Sequence, residues 1–90
     1  TLRDFWALHP RAEGPLREWY AFVARARWRS TSDIKRDFAS ASFVGKNRVV
    51  FNIGGNRYRL VVVSLLAIGT LYVRFVGTHA KYDKIDVTKV

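Results

Sequence analysis

The stretch RVVFNIGGNRYRLVV, residues 48–62, decides the fold because it predicts two strands joined by a tight turn. Apolar and polar side chains alternate on both sides of Gly54-Gly55, which is the period of a strand with one buried face. Paired glycines favour the two-residue hairpin turn, in which the backbone takes positive φ angles. The sequence therefore predicts an antiparallel β-hairpin at the centre of the protein.

The predicted register of this hairpin separates an apolar face from a basic one. A two-residue turn places Phe51 opposite Tyr58. Arg57 and Arg59 then share one face of the sheet. The opposite face is apolar and consists of Val49, Phe51, Tyr58 and Leu60. Because a slip of one residue would bury the arginines, the parity of the strands is strongly specified.

A third strand is predicted from Leu71 to Val76, after a second turn. This pairing places Arg74 opposite Val63, on the face that carries Arg59. Phe75 joins the apolar face. The remainder of the basic face is apolar, so the C-terminal tail or a partner chain should cover it.

Helices are predicted before the hairpin. Thr1 can cap a first helix that ends at Pro10, and Pro15 suits the first turn of a second helix. Ser30 can open a third, short helix that runs through Phe38. The chain is therefore expected to form one α+β domain, with an N-terminal helical hairpin packed on a small antiparallel sheet and a C-terminal polar tail. The three tryptophans are expected in the core.

The charge balance predicts a polyanionic partner. The net charge is +9 and the isoelectric point is about 10.7. No Asp or Glu lies between Asp37 and Asp83, so the predicted sheet carries charge of one sign. Such a surface suits nucleic acid or an acidic protein, and less often a membrane; the alternative is a merely solvated basic surface. The absence of cysteine excludes thiol chemistry and fits a reducing, cytoplasmic compartment.

The tail after the third strand carries groups suited to phosphodiester chemistry. RNA cleavage by its own 2′-hydroxyl needs a base, an acid and positive charge at the transition state. His79 suits proton transfer because imidazole titrates near neutral pH, and Tyr82 has Lys81 and Lys84 beside it. The alternatives are a loop histidine that bonds a backbone carbonyl and a tyrosine that only packs. Two distant histidines and a sheet without acids argue against a metal site, and no cofactor is predicted.

Several segments resemble the HigB toxins of bacterial type II toxin–antitoxin modules. They are Asn47–Ile53, Gly55–Val62, Arg74–His79 and Tyr82–Ile85, and the opening Thr1–Trp6 resembles the first helix of that family. The resemblance implies a RelE-like fold over residues 1–90 and an mRNA interferase that cuts mRNA without metal, commonly in the ribosomal A site. It also implies a cognate HigA antitoxin with a helix-turn-helix domain. Relatives begin with a short strand before the first helix, so the sheet is expected to lack an edge strand.

The resemblance also implies roles for single residues. Arg59 and Arg74 match strand arginines, and His79 and Tyr82 match tail positions that carry acid/base groups. Phosphate contacts are expected from Lys46, Arg48, Arg57, Lys81 and Lys84. The leading hypothesis is a ribosome-dependent endoribonuclease toxin that inhibits translation. The alternatives are a gyrase-inhibiting toxin of the ParE type and a non-catalytic RNA-binding or ribosome-binding protein.

Overall fold

A computed structural model describes residues 2–55 and 57–90 of the protein. In these ranges three helices precede a four-stranded antiparallel sheet, and a fourth, short helix follows it. The helices are α1 (Leu2–Leu8), α2 (Glu13–Arg25), α3 (Thr31–Asp37) and α4 (His79–Tyr82), with 3-10 turns at Pro10–Ala12 and Leu66–Ile68. The strands are β1 (Ser42–Val44), β2 (Arg48–Ile53), β3 (Tyr58–Leu65) and β4 (Thr70–Thr78), in the spatial order β1-β2-β3-β4. The predicted α+β class is confirmed. The predicted cap at Thr1 lies outside the described residues.

Local sequence signals explain where the helices begin and end. The side chain of Ser30 accepts a hydrogen bond from the Asp33 backbone N–H at 3.4 Å, so the predicted cap of α3 is confirmed. At the other end of α3, the indole N–H of Trp28 donates to the Asp37 carboxylate at 2.8 Å. This bond, above all, lowers the pKa of Asp37.

In the described ranges, no helix has the length and apolar character needed to cross a membrane.

The register of the central hairpin differs from the predicted one by two residues. Phe51 pairs with Leu60, and Ile53 pairs with Tyr58, so the predicted pairing of Phe51 with Tyr58 is wrong. The connection is four residues long, although Gly54 does take a positive φ of 62°. Because a shift of two residues conserves parity, the paired side chains of β2 and β3 keep their predicted faces. Arg57, which was predicted in the strand, lies in the turn before β3. The short strand β1 was not predicted, since three residues are too few to show a period.

The observed β3–β4 pairing contains a β-bulge that the predicted pairing lacks. Val61 pairs with Phe75, but the next residue, Val62, pairs with Val73, so Arg74 is an extra residue in β4. The predicted pairing of Arg74 with Val63 is therefore wrong. The bulge also moves Phe75 from the predicted apolar face to the face of Arg59, because an extra residue reverses the alternation beyond it. An alternating sequence pattern does not reveal such an insertion.

The core lies between the helices and one face of the sheet. Phe51 is at its centre, with ring centroids 5.4 Å from Trp19, 6.4 Å from Trp28 and 5.1 Å from Phe38. Trp19 and Trp28 are buried, as predicted, and Trp6 is half-buried under the guanidinium of Arg17. Other buried side chains of this core are Leu16, Ile34, Val49, Leu60 and Val62. The helix layer is therefore held mainly by aromatic and aliphatic contacts with β2 and β3.

The opposite face of the sheet is covered by the C-terminal segment. Val50 and Val61 point to this face, yet they are only 1% and 0% exposed. The guanidinium of Arg48 donates to the backbone carbonyl of Val90, which holds the end of the tail against β2. Hydrogen bonds from Thr88 lower the pKa of Asp86 in this segment, with a smaller contribution from the nearby cations of β2 and its preceding turn. The expectation that the tail or a partner covers this face is met by the tail.

The outer edge of β4 pairs with no other described strand. The family resemblance leads us to expect that the sheet lacks the edge strand of its relatives, and this stays a prediction. Beyond the bulge, β4 is shaped by a close contact, because a side-chain carbon added at Gly77 would lie 2.6 Å from Cζ of the Phe75 ring. Glycine is therefore required at position 77 for the ring to lie flat against the strand.

Replacing Leu60 with alanine should lower the free energy of unfolding by about 2–5 kcal/mol, because the side chain is 0% exposed and leaves a cavity. The matched control is Leu8→Ala, at a side chain that is 81% exposed. That change should stay within about 0.5 kcal/mol. Urea unfolding followed by circular dichroism measures both. Equal effects at the two positions would contradict the assignment of the core.

Replacing Gly77 with alanine should also destabilise the protein, by about 1–3 kcal/mol, because the new methyl group overlaps the Phe75 ring. Gly14→Ala is the control, since Gly14 lies in α2 with nothing within 4 Å of an added carbon. Alanine should stabilise that helix by up to about 1 kcal/mol. The two substitutions are thus expected to shift the thermal midpoint in opposite directions. A higher midpoint for Gly77→Ala would refute the close contact.

Candidate functional site

Three side chains of the basic face come into direct contact where β3 begins and β4 ends. The Nε of Arg59 donates a hydrogen bond to Nε2 of His79 at 3.1 Å. The Cζ of Arg59 lies 4.8 Å from the centroid of the Tyr82 ring. We call this group the Arg59–His79–Tyr82 cluster. All three residues are half-buried, so the cluster is ordered by packing and still open to a ligand.

The end of β4 and the start of α4 hold the cluster together. Arg59 pairs with Gly77, which brings the following residues of the chain beside β3. Thr78 caps α4, and its side chain accepts a hydrogen bond from the Lys81 backbone N–H at 3.3 Å. The first turn of the helix places His79 and Tyr82 on the same side, because residues three apart are neighbours on a helix surface. The predicted polar loop is therefore a short helix at this point.

Phe75 forms the floor of the site. Its ring lies against Gly77 on one side, and its centroid is 6.4 Å from that of Tyr82. Tyr82 thus sits between an aromatic ring and the Arg59 guanidinium. Sequence reasoning missed this role of Phe75, because the bulge that turns the ring to this face could not be predicted.

The hydrogen bond between Arg59 and His79 defines the proton arrangement of the imidazole. A guanidinium always donates, so Nε2 of His79 must be the acceptor and Nδ1 carries the proton. Among the described residues, no carboxylate forms an ion pair with Arg59. The terminal amino groups of the guanidinium are therefore available to an anion. An imidazole nitrogen that accepts a hydrogen bond, beside a cation without an ion pair, is suited to proton transfer next to a bound phosphate.

Arg74 does not belong to this cluster. It is the extra residue of the bulge, is exposed, and lines a groove of about 1170 Å³ between the first two helices and β4. The regular pairing from which a shared face of Arg74 and Arg59 was predicted is therefore wrong. The physical cause of the error is an unpredicted shift in strand register.

The predicted phosphate-binding residues divide into two groups. Arg48 faces the same way as Arg59, but it lies four positions along β2 from the partner of Arg59, or about 13 Å away. Its guanidinium is already bonded to the carbonyls of Lys46 and Val90. Lys46 lies beside it in the turn before β2. The second group lies near the cluster and is exposed: Arg57, Lys81 and Lys84.

One polar side chain near the cluster was not predicted. Asn52 lies directly opposite Arg59 in the β2–β3 pairing. Its Oδ1 is buried and finds no hydrogen-bond partner among the described residues. The two-residue turn expected from the glycines would have placed Asn52 beside Arg57 instead. The place of Asn52 beside Arg59 could have been predicted only if the connection between β2 and β3 had been taken as four residues long.

The comparisons with known proteins bear on what this site does. Among curated proteins, no relative is matched. A family model is matched over residues 12–85, and it describes HigB_toxin, the RelE-like toxic component of a toxin–antitoxin system. The match includes Arg59, His79 and Tyr82 and covers well over half of the chain. The chain therefore belongs to the HigB toxin family.

Proposed function

We propose that this toxin is an endoribonuclease that cleaves mRNA on the ribosome, without a metal ion, and so inhibits translation. A RelE-like toxin family suggests a nuclease-type activity in general. The observation that carries the proposal is the contact of one guanidinium, Arg59, with both His79 and Tyr82. These are the cation and the two proton-transfer groups that 2′-hydroxyl attack requires.

In the proposed reaction the RNA supplies its own nucleophile. Nε2 of His79 takes the proton of the 2′-hydroxyl, and the 2′-oxygen forms a bond to phosphorus. The bond from phosphorus to the 5′-oxygen breaks, and the Tyr82 hydroxyl donates a proton to that leaving oxygen. The products are a 2′,3′-cyclic phosphate and a free 5′-hydroxyl. The acceptor state of Nε2 supports the choice of His79 as base.

Arg59 has two successive roles in this proposal. Before RNA binds, its Nε holds the imidazole of His79 through the 3.1 Å hydrogen bond. When the scissile phosphate arrives, the guanidinium turns to the phosphate oxygens, which releases Nε2 to accept a proton. Charge-assisted bonds from arginine to phosphate are short and often bidentate, so the exchange favours the negatively charged transition state. The exposed Arg57, Lys81 and Lys84 bind neighbouring phosphates.

Dependence on the ribosome follows from how few groups the site contains. One arginine, one histidine and one tyrosine provide proton transfer and charge, but they do not by themselves hold an RNA strand in line. Holding reactants in line is worth several orders of magnitude in rate. We propose that the ribosome aligns the mRNA in the cytoplasm. The family implies an antitoxin partner, and we propose an antitoxin of the HigA type.

His79→Ala and Tyr82→Phe should each relieve growth arrest, with a loss of about 100-fold or more in mRNA cleavage. The measurement is the mapping of mRNA 5′ ends after induction, in which the active toxin should produce cuts in phase with codons. Tyr20→Phe is the matched control, because Tyr20 is 63% exposed on α2. The Tyr20→Phe protein should cleave mRNA like the unaltered protein.

The same experiment distinguishes the other functions considered for this sequence. Full toxicity of both folded variants would refute the assignment of His79 and Tyr82. A DNA-damage response without mRNA cuts would instead support a gyrase-inhibiting toxin. Intact mRNA with toxin bound to ribosomes would support a non-catalytic binding protein.

Arg59→Gln should reduce cleavage far more than Arg74→Gln, because Arg59 contacts both His79 and Tyr82, whereas Arg74 is the exposed extra residue of the bulge. Both substitutions remove one positive charge, so the pair separates position from net charge. We expect at least a 100-fold loss for Arg59→Gln and less than a tenfold loss for Arg74→Gln. Measured rates of cleavage of ribosome-bound mRNA decide between them. Equal losses of cleavage for the two variants would support a catalytic role for Arg74 as well.

A further inference from the structure

A row of three arginines projects from the connection between α2 and α3. The row consists of Arg25, at the end of α2, and of Arg27 and Arg29 in the segment that follows. All three are exposed, while the residues between them, Ala26 and Trp28, are half-buried and buried. Ala26 has extended backbone angles, with φ −69° and ψ 147°. The segment therefore alternates like a strand, with arginines outward and apolar side chains inward.

Trp28 holds this segment in place. Its indole N–H donates to the Asp37 carboxylate at 2.8 Å, and its ring packs against Phe38 and Phe51 in the core. Because Trp28 can point only inward, its neighbours Arg27 and Arg29 must point outward. Outward side chains two positions apart in extended chain are about 6.6 Å apart, which is close to the spacing of successive phosphates along an RNA strand.

The arginine row is not neutralised by the protein itself. Within the part of the chain that the structure describes, none of its three side chains forms an ion pair. Two carboxylates of the adjacent helix α3 have other partners: Asp33 accepts from the backbone N–H of Arg29 and from Arg36, and Asp37 accepts from Trp28. Arginine is suited to phosphate because its planar fork makes two parallel hydrogen bonds. The row is an exposed surface of guanidinium groups that form no ion pair with the described residues.

The row and the Arg59–His79–Tyr82 cluster lie in different layers of the protein. Trp28 packs on Phe51, which points to the helix side of the sheet, whereas Arg59 points to the opposite side. A contact at the row is therefore separate from a contact at the cluster. We propose that the arginine row is a second RNA-binding surface, which holds the phosphate backbone of structured ribosomal RNA while the cluster engages mRNA. The ribosomal identity of this RNA rests on the proposed function.

The test compares two triple variants with the same loss of charge. The first carries Arg25→Gln, Arg27→Gln and Arg29→Gln. The control carries Arg17→Gln, Arg36→Gln and Lys89→Gln, which replace cations that are each already paired with a carboxylate. Both are made in full-length His79→Ala protein, so that the assay does not depend on cleavage. Circular dichroism establishes that both are folded.

Binding is measured by co-sedimentation with purified 70S ribosomes and by titration of isolated ribosomal RNA over a range of salt concentrations. The row variant should bind at least tenfold more weakly than its parent. Its plot of log affinity against log salt should lose about 2 units of slope, because three phosphate contacts are removed. The control should stay within about threefold of the parent, since paired cations contribute little to counterion release.

Equal binding by the row variant and its parent would overturn the inference. Poly-glutamate serves as the acidic-polypeptide probe, and a loss of poly-glutamate binding with ribosome binding intact would assign the row to an acidic protein instead. Cleavage is measured separately with His79 restored. If the protein with His79 restored and the arginine row intact proves not to cut mRNA, the proposed function fails, while the binding result still decides whether the row holds RNA.

Discussion

The packing of β2 and β3 against the helices is the constraint on which the rest of the molecule depends. Phe51 and Leu60 are buried between the sheet and the helix layer. Burial of each such side chain contributes about 1.5–3 kcal/mol, and reversing the strands would expose both and bury Arg59 without a partner. The direction of Arg59 is therefore a consequence of core packing. Residues far from the cluster determine which way its central guanidinium points.

The cluster also shows how a small sheet can assemble a candidate site from two neighbouring strand ends. β3 supplies the cation, and the chain that leaves β4 supplies the imidazole and the phenol on a single helical turn. The C-terminal segment then covers the valines beside the cluster and occupies Arg48, so the basic face is reduced to its region around Arg59. The chain after β4 thus carries His79 and Tyr82 and also covers the apolar part of the sheet.

The prediction from sequence succeeded where apolar and polar side chains alternate over many residues. It failed where a single extra residue interrupts that alternation. Alternation along residues 48–62 predicted the faces of the hairpin, and an error of two residues in register left those faces intact. Arg59 contacts His79 and Tyr82, the two tail residues singled out for acid/base chemistry, through a hydrogen bond and a ring contact. Arg74 was misplaced because a bulge depends on tertiary packing that no local pattern encodes. β1 was missed because a strand of three exposed or half-buried residues lacks a signal.

The bulge at Arg74 has a consequence for how this site could change over time. Deleting that one residue would restore simple alternation and keep the site, because Phe75 would still pair with Val61 and Gly77 with Arg59. Regular pairing of β4 without a deletion would do the opposite: Arg74 would take the place of Phe75 opposite Val61, and Phe75 would turn toward the helices, away from Tyr82. The sheet would keep its strands in that case, yet Gly77 would no longer lie beside Arg59. The site could therefore survive the loss of one codon at the bulge, whereas a slip of one residue in the pairing would separate the fold from the site.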